Sequence, residues 1–386
     1  MPESTKRRDS PPTTTTTSWP LTFLFFFVVL PVGAALLLYR LDSFDPVHLP
    51  IHELAGPVLT APARNSRLLH GSELIGAGAL PAPEDLAFDS KEGVIYTGCA
   101  DGWVKRVTVN ESVSDSVIEN WVNTGGRPLG LVLGNDNQVV VADTEKGLMS
   151  ISKEGVVELL SDEAEGVKFK LTDCPDVAKD GMIYFTDASS KYNLKDSILD
   201  ILEGNPHGRL MSYDPSTKET KVLVRDLYFA NGVVISPDQN FLIYCESVMR
   251  RCRKYHLQGE KKGSVEEFVK LLPGLPDNIR YDGEGLYWIA FASEVTTSWN
   301  LAQQYPFLRK ILGILERYVG RPHMEKNGGV FAVDLEGKPV AHYYDASLSF
   351  ISTGIKIGKH LYLGSLVNPY IIRFNLEKYP ALPSST

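Results

Sequence analysis

Five oxygen-bearing side chains stand at one recurring point of this sequence. The chain repeats a short β-rich run six times, and Glu84, Asp173, Asn231 and Asp277 each lie eleven to thirteen residues before the middle of such a run. Asn278, directly after Asp277, is a fifth candidate. Carboxylate and amide oxygens, without histidine or cysteine, select Ca²⁺ or Mg²⁺ over zinc, and a flexible mixed set suits Ca²⁺ better. We therefore predict that these residues, called the oxygen ring below, bind calcium.

A simpler role for each of these residues is a turn before a strand. Asp, Asn and Gly are common turn formers, so any single position could be explained in this way. The corresponding positions of the two other repeats hold Leu129 and Ser352, which do not continue the pattern. Four oxygen-bearing matches at one phase favour ligands over turns.

The runs that define this phase are typical of β-strands, because they are rich in Val, Ile, Tyr and Phe and are bounded by Gly, Asp and Asn. They are VIYTG (94–98), VVVAD (139–143), IYFTD (183–187), LIYCE (242–246), LYWIA (286–290) and LYLGS (361–365). Six similar units, mostly 43 to 45 residues apart before insertions, predict an all-β, six-bladed β-propeller. Two β-sandwiches are an alternative that the likeness of the units disfavours. Since the innermost strand of each propeller blade borders the channel, equivalent positions at its start form a ring around the channel mouth.

The composition is that of a globular protein with a net negative charge. Of 386 residues, 43% are hydrophobic and 22% are charged, which allows a sizeable core. The 47 acidic residues exceed the 39 basic ones and give a net charge of −8. This balance argues against a nucleic-acid partner, because phosphate binding needs a basic face.

The amino-terminal segment has a different composition. Residues 1–18 are polar and include the basic cluster Lys6, Arg7 and Arg8. Residues 21–39 contain no charge, and this run is close to the roughly 20 residues that cross a bilayer. We predict a cytosolic tail (1–18), a transmembrane signal anchor (19–40), a linker with the start of the lumenal region (41–75) and a lumenal propeller (76–386). The chain would then be a single-pass type II membrane protein of the endomembrane system, in the endoplasmic reticulum or the vacuole. A cleaved signal peptide is the alternative, and it would leave a secreted or vacuolar soluble form.

Two further features suit a lumenal propeller. Asn110 begins an Asn-Glu-Ser sequon, which predicts glycosylation of its side chain. Cys245 and Cys252 flank a turn at which a disulfide could form, with two buried free thiols as the alternative.

An insertion interrupts the fifth repeat over residues 298–322. Its apolar residues recur at helical spacing from about Pro306, which predicts a helix. The helix could be a lid over the channel, a helix resting on a membrane, or a helix packed on the propeller rim.

Several long motifs resemble those of the strictosidine synthase-like family, in its membrane-anchored branch. They are IYFTDASSKY, GRLMSYDPSTKET, VLVRDLYFANGVVISPD and LYLGSL, and the likeness extends from about residue 75 to the carboxyl end. The resemblance implies a six-bladed propeller distantly similar to paraoxonases and calcium-dependent lactonases. It also implies that the oxygen ring corresponds to the paraoxonase-type calcium ring, with Asp173 where asparagine is usual.

The catalytic residues of those relatives are not carried over. The resemblance places Leu129 near a histidine of the paraoxonases, so their histidine dyad is missing here. It places Ser352 or Thr353 where strictosidine synthase has its glutamate, and a hydroxyl does not titrate near neutrality as that carboxylate does. Condensation to an alkaloid is therefore not expected.

Two functions remain open at this point. The first is a weak, metal-dependent hydrolysis of esters or lactones, in which calcium polarises the carbonyl of a small-molecule substrate. The second is a non-catalytic binding or scaffold propeller whose calcium is structural, since one propeller fold serves many functions.

Overall fold

The chain forms two compact units, Met1–Phe44 and Asp45–Thr386, and the computed structural model describes residues 23–320 and 326–383. In the first unit, a π-helical stretch (Phe25–Val29) leads into helix α1 (Leu30–Leu41). Among the described residues, no helix combines the length and apolar character needed to cross a membrane. The predicted cytosolic tail (1–18) and the first residues of the predicted anchor (19–22) lie outside the described part.

The second unit is built from six sheets in which consecutive strands pair antiparallel. The first three sheets are β3 (Leu86–Asp89), β4 (Val94–Gly98), β5 (Trp103–Thr108) and β6 (Ile118–Asn123); β7 (Pro128–Leu133), β8 (Val139–Asp143), β9 (Gly147–Ile151) and β10 (Val157–Ser161); and β13 (Thr172–Val177), β14 (Ile183–Asp187), β15 (Gly208–Asp214) and β16 (Glu219–Leu227). A small hairpin, β11 (Glu163–Ala164) and β12 (Val167–Lys168), separates the second sheet from the third. The fourth sheet is β17 (Ala230–Ile235), β18 (Phe241–Glu246), β19 (Arg251–His256) and β20 (Val265–Val269).

The last two sheets each receive strands from near the start of the unit. The fifth is β21 (Gly274–Tyr281), β22 (Leu286–Glu294), β23 (Gly328–Asp334) and β24 (Pro339–Asp345), extended by β1 (Ala63–Asn65) and β28 (Leu382–Pro383). The sixth is β25 (Ile351–Ile357), β26 (His360–Ser365) and β27 (Ile371–Asn375), completed by β2 (Glu73–Ile75), which pairs antiparallel with β27. Residues 41–75, predicted as a linker, therefore supply two strands, and β2 ties the last blade to the start of the chain.

The predicted six-bladed β-propeller is confirmed. The first strands of the six sheets, β3, β7, β13, β17, β21 and β25, each contact the next in a closed circle. The hydrophobic clusters lie between neighbouring sheets, so a middle strand is covered on both faces. This is why β8 is an uninterrupted buried run rather than an alternating one.

Two insertions add helices to this propeller. Helix α2 (Ser197–Glu203) lies between β14 and β15 of the third blade, preceded by a short 3₁₀ turn (Leu194–Asp196). Helices α3 (Thr297–Gln304) and α4 (Pro306–Tyr318) lie between β22 and β23, so the helix predicted from about Pro306 in the fifth blade is present. The Thr296 side chain caps α3 by accepting a hydrogen bond from the Trp299 backbone N–H.

The cysteines lie in the propeller core. Cys245 on β18 and Cys252 on β19 face each other directly across the hairpin and are joined in a disulfide. Cys99 and Cys174 are buried free thiols.

A buried histidine should make the stability of this propeller depend on acid. His342 on β24 is 4% exposed and packs against the rings of Phe291 and Phe331, and burial lowers its pKa from 6.5 to about 3. Below pH 6.5 the unfolded chain therefore binds a proton that the folded chain excludes. As the pH is lowered, the free energy of unfolding decreases by up to about 1.4 kcal/mol per pH unit. We expect calorimetry to show a smaller fall in melting temperature between pH 7 and pH 5 for His342→Phe than for the parent.

The matched control is His52→Phe, at an exposed histidine, which should keep the parental acid sensitivity. Equal losses of melting temperature in His342→Phe and the parent would contradict the assignment.

Candidate functional site

The structure brings the predicted oxygen ring together at the start of the inner strands. Glu84 lies just before β3, Asp173 and Asn231 are second in β13 and β17, and Asp277 and Asn278 are adjacent in β21. All five side chains are buried. The Asn278 Nδ2 donates to Glu84 Oε1 at 2.8 Å, which joins the first and fifth blades across the channel.

β-bulges aim these side chains at the channel. The pairing register shifts between Thr172 and Pro175, between Ala230 and Val233, and between Pro276 and Ile279. The ring residues of these three strands lie inside the shifts. A bulge places two residues opposite one and re-aims their side chains, which is how the consecutive Asp277 and Asn278 both serve one site.

A glycine lets neighbouring inner strands approach closely beside the ring. A Cβ atom at Gly232, the residue after Asn231, would lie 2.6 Å from the Asn278 Cα and 2.7 Å from the Asp277 carbonyl oxygen. No side chain fits there. The Asn231-Gly232 pair thus has a packing role as well as a polar one, and it lies inside a strand rather than in a turn.

Mutual repulsion and burial dominate the electrostatics of the ring. Burial, reinforced by the neighbouring carboxylate of Asp85, raises the pKa of Asp173 to about 8. Burial also raises the pKa of Glu84, and repulsion from Asp85, Asp277 and Asp173 adds to it. The pKa of Asp277 is raised by burial and by Asp173, and a hydrogen bond from Asn231 partly offsets this. Three carboxyl groups in one buried place need protons or a cation to be stable.

The ring leaves oxygens without partners, as a cation site requires. Glu84 Oε2, Asn231 Oδ1 and Asn278 Oδ1 are buried and accept no hydrogen bond. Buried polar atoms are nearly always paired, so three such acceptors in one ring fit the coordination of a hard cation. Within the described residues, no three His, Cys, Asp or Glu side chains form a metal-binding group by themselves. The residues therefore fit calcium only as a mixed set that includes the two amides.

A fixed ion pair lies further along the inner strands. The Arg280 guanidinium on β21 donates to the Asp85 carboxylate, to the Val233 carbonyl at 3.3 Å and to the Cys174 sulfur at 3.3 Å. The Asp85 Oδ2 also accepts from the Leu131 backbone N–H at 3.0 Å. The charge of Asp85 is thus matched inside the protein, in contrast to the three carboxyl groups of the ring.

A cavity of about 1190 Å³, counting its open mouth, lies over the ring. Glu84, Asp173, Asn231 and Asp277 line it at the ring, and further polar side chains line its walls: Ser197, Ser247, Ser293, Glu294, Thr296 and Glu316. Its walls are largely apolar and come from the blade loops and from the inserted helices: Leu129, Leu171, Leu194, Ile198, Ile201, Leu202, Phe229, Leu275, Trp299, Leu312, Phe350 and Leu366. We call this space the channel cavity.

One buried arginine holds the inserted helices together. Arg309 of α4 is fully buried and donates to the carbonyl oxygens of Leu202 and Glu203 at the end of α2, each at 3.1 Å. It also donates to the Ala302 carbonyl of α3 at 3.0 Å and to the Val47 carbonyl. Its hydrogen bonds thus join the third-blade and fifth-blade insertions at the cavity mouth. The sequence predicts the helix but not these hydrogen bonds of Arg309, because their acceptors are main-chain carbonyls that no residue pattern reveals.

Comparisons with known proteins agree with this architecture. Family models described as "Strictosidine synthase" and "Strictosidine synthase-like, N-terminal" match residues 173–260 and 63–107. The chain is 55% identical over 361 residues to strictosidine synthase-like 6 of Arabidopsis thaliana, covering 93% of this chain and 96% of that one. The chain belongs to the strictosidine synthase-like family. It is also 33% identical to the adipocyte plasma membrane-associated protein of Bos taurus, over 91% of this chain and 89% of that one.

Solved structures show that this strictosidine synthase-like chain shares its fold with lactonase-type propellers. A gluconolactonase from Xanthomonas campestris superposes with a TM-score of 0.57 at 15% identity, covering 83% of this chain and 98% of that one. A regucalcin from Agrobacterium tumefaciens, described as calcium-binding, gives 0.54 at 13% identity, covering 82% and 95%. At these identities the likeness shows the fold alone.

The positions at which this strictosidine synthase-like chain was expected to lack catalytic side chains lie at the same site. Leu129 lines the channel cavity. Ser352 is buried at the start of β25, and its Oγ donates to the Glu84 carbonyl at 2.6 Å, so it supports the ring from behind. Thr353 is buried beside it. Two wall carboxyl groups that sequence analysis missed, Glu294 and Glu316, also line the cavity.

Calcium should bind the strictosidine synthase-like propeller through the unpartnered amide oxygen of Asn231. We expect Ca²⁺ to raise the melting temperature of the parent chain. Asn231→Leu, which removes one ligand while keeping a similar volume, should weaken the calorimetric affinity at least about tenfold, the effect of about 1.4 kcal/mol. Asn120→Leu, at an exposed asparagine of β6, is the control and should bind as the parent does. An unchanged affinity in Asn231→Leu would remove this residue from the site.

Removal of the Arg309 guanidinium should loosen the joined insertions. Arg309→Met keeps much of the buried volume but leaves buried carbonyl oxygens of α2 and α3 without donors, which costs about 1–3 kcal/mol for such a group. We expect a lower melting temperature and faster proteolysis within residues 194–204 and 297–320. Lys195→Met, at an exposed lysine of the 3₁₀ turn before α2, serves as the control. If Arg309→Met were cleaved at the same rate as the parent, the hydrogen bonds of Arg309 would not be what holds these segments.

Proposed function

We propose that this protein is a calcium-dependent hydrolase of esters or lactones. The observation that carries the proposal is the set of three unpartnered oxygens, on Glu84, Asn231 and Asn278, in a ring of carboxyl and amide groups at the polar end of the cavity. A ring of this kind, open on one side to a ligand cavity, can hold an ion and still leave room for a substrate oxygen.

The ring residues and the wall residues would have different roles. Glu84, Asp173, Asn231, Asp277 and Asn278 would hold the ion. Bound calcium would act as a Lewis acid on the substrate carbonyl. The apolar walls would hold the substrate in place and exclude bulk water, which strengthens electrostatic interactions at the ring.

A carboxylate must take the proton of the attacking water. Among the described residues that line the cavity there is no histidine, lysine or cysteine. Glu294 and Glu316 are lining carboxyl groups outside the ring, and Glu294 is oriented by a hydrogen bond from Asn327 Nδ2 at 2.6 Å. A carboxylate is a weaker base than imidazole, so we expect slow turnover.

The comparisons support the proposal through the family and the fold. Strictosidine synthase-like relatives share this whole architecture, and solved lactonase-type and calcium-binding propellers share the fold. Strictosidine condensation is not proposed, because Ser352 donates to a main-chain carbonyl and Thr353 carries no titratable group.

A second candidate is a binding propeller with a structural calcium ion. It is favoured by the burial of every ring residue and by the Asn278–Glu84 hydrogen bond, which connects the first and fifth blades. An ion in the oxygen ring would link the blades as this hydrogen bond does, and it would not need to take part in catalysis.

We also propose that the propeller lies on the lumenal side of an endomembrane. Support comes from the uncharged run over residues 21–39 and the Asn110 sequon. A relative named adipocyte plasma membrane-associated protein supports association with a membrane. The Asn110 Nδ2 donates to the Asp115 carbonyl at 2.5 Å, so glycosylation would have to displace this contact.

Hydrolysis should depend on both the ion and the charge of Asp277. We would measure the full chain against phenyl acetate and a set of lactones, with Ca²⁺ and with a chelator. Asp277→Asn keeps the shape but removes a charge, and we expect kcat/KM to fall about 10²-fold, as for loss of one strong electrostatic contact. The control is Asp136→Asn, at an exposed position.

Two results would separate the candidates. Activity that is lost with chelator and in Asp277→Asn, but kept in Asp136→Asn, supports the hydrolase. No turnover by the parent with Ca²⁺, together with a chelator-induced fall in melting temperature, would contradict the hydrolase and favour the binding propeller.

A further inference from the structure

The walls of the channel cavity differ in chemistry from its polar end. Helix α2 contributes Ile198, Ile201 and Leu202 to the lining, and helix α4 contributes Leu312. Both helices are insertions into the propeller, between β14 and β15 and between β22 and β23. The apolar walls near the mouth are therefore built in part by the insertions and not by the blades alone.

The walls carry some polar side chains among the apolar ones, and several of these polar groups are already engaged. The Ser247 Oγ donates to the Pro276 carbonyl at 2.6 Å, and Glu294 accepts from Asn327. A polyhydroxylated ligand would bring hydroxyl groups against Ile198, Ile201 and Leu312, where they would lose their bonds to water. Each unpaired polar group of that kind costs affinity, so the walls discriminate against sugar-like lactones.

The charge of the lining excludes a second class of ligand. Glu84, Asp173, Asp277, Glu294 and Glu316 are acidic, and the described lining residues include no Lys, Arg or His. An anionic ligand would meet no positive side chain on the walls. Carboxylate, sulfate or phosphate groups distant from the reacting carbonyl are therefore disfavoured.

We propose that the channel cavity binds an uncharged ester or lactone with an aliphatic chain, whose carbonyl faces the oxygen ring and whose chain lies between α2 and α4. This substrate class rests on the proposed function, while the binding of the chain does not require hydrolysis. Each methylene buried between the helices should raise the affinity about fourfold, from the usual transfer free energy of a CH₂ group. The inserted helices determine this specificity, because Arg309 holds them over the ring.

The chain offers a matched pair of residues for the test. Leu312 lines the cavity, whereas its neighbour Ile311 on the same helix is 42% exposed. Leu312→Asn should place an amide in the cavity wall, and Ile311→Asn makes a comparable change on the outside. Ile198→Asn on α2 gives an independent second variant on the opposite insertion.

The experiment is displacement of the uncharged fluorophore N-phenyl-1-naphthylamine from the full chain. The competitors are γ-butyrolactone, γ-octalactone, γ-dodecalactone and glucono-δ-lactone, and their hydrolysis is followed in parallel with Ca²⁺. We expect displacement to strengthen with chain length and glucono-δ-lactone to compete weakly. Leu312→Asn and Ile198→Asn should weaken the binding of γ-dodecalactone at least about tenfold, which corresponds to about two lost methylenes. Ile311→Asn should leave this binding unchanged.

The outcomes separate this inference from the proposed function. Chain-length-dependent displacement without hydrolysis would support the apolar binding site and contradict the hydrolase. Hydrolysis with no dependence on chain length, or with glucono-δ-lactone preferred, would support the hydrolase and overturn the inference. Equal loss of γ-dodecalactone binding in Ile311→Asn and Leu312→Asn would also overturn it, because the helix would then act through folding and not through its inner face.

Discussion

Three carboxyl groups buried at one point of the channel are the constraint on which the site depends. Glu84, Asp173 and Asp277 approach from three different blades, and burial raises the pKa of each. Propeller closure forces this approach, because the inner strands all begin at the same end of the channel. Without a cation the ring must hold protons, and with one it becomes a rigid contact among blades. The neighbouring Asp85, which Arg280 neutralises, shows that the fold can pair a channel carboxylate internally where no ion is needed.

Much of the ring could be predicted from repeat spacing. Residues at one phase of a propeller repeat must lie at one level of the channel, so the convergence of Glu84, Asp173, Asn231 and Asp277 follows from spacing alone. The helix beginning at Pro306 could be predicted as well, since its apolar spacing and its amino-terminal proline are local signals.

Other features were not visible in the sequence because they depend on tertiary contacts. The bulges that turn Asp277 and Asn278 to one site arise from pairing between strands. Strands β1 and β2 are three residues long, too short to show a period, and residues 41–75 therefore read as a linker. Asp85 and Arg280 pair across a separation of 195 residues in a chain of 386, and the partners of Arg309 are main-chain carbonyl groups. None of these has a short-range signature.

The blades and the insertions have separate roles in this account. The blades supply the ring, while the insertions supply walls that define what can reach it. Leu129 and Ser352 fit the same division, because these two blade positions hold an apolar lining side chain and a hydroxyl that donates to the Glu84 carbonyl. Specificity can thus change through α2 and α4 without disturbing the ring.

Whether the oxygen ring holds a hard cation can be seen in a crystal structure of the full chain grown with Tb³⁺, an anomalous scatterer that replaces Ca²⁺. We expect one strong anomalous peak in the channel, within about 2.3–2.6 Å of oxygens of Glu84, Asn231 and Asn278, as for calcium-type coordination. A channel without such a peak, in which these oxygens accept hydrogen bonds from protein or water, would contradict it.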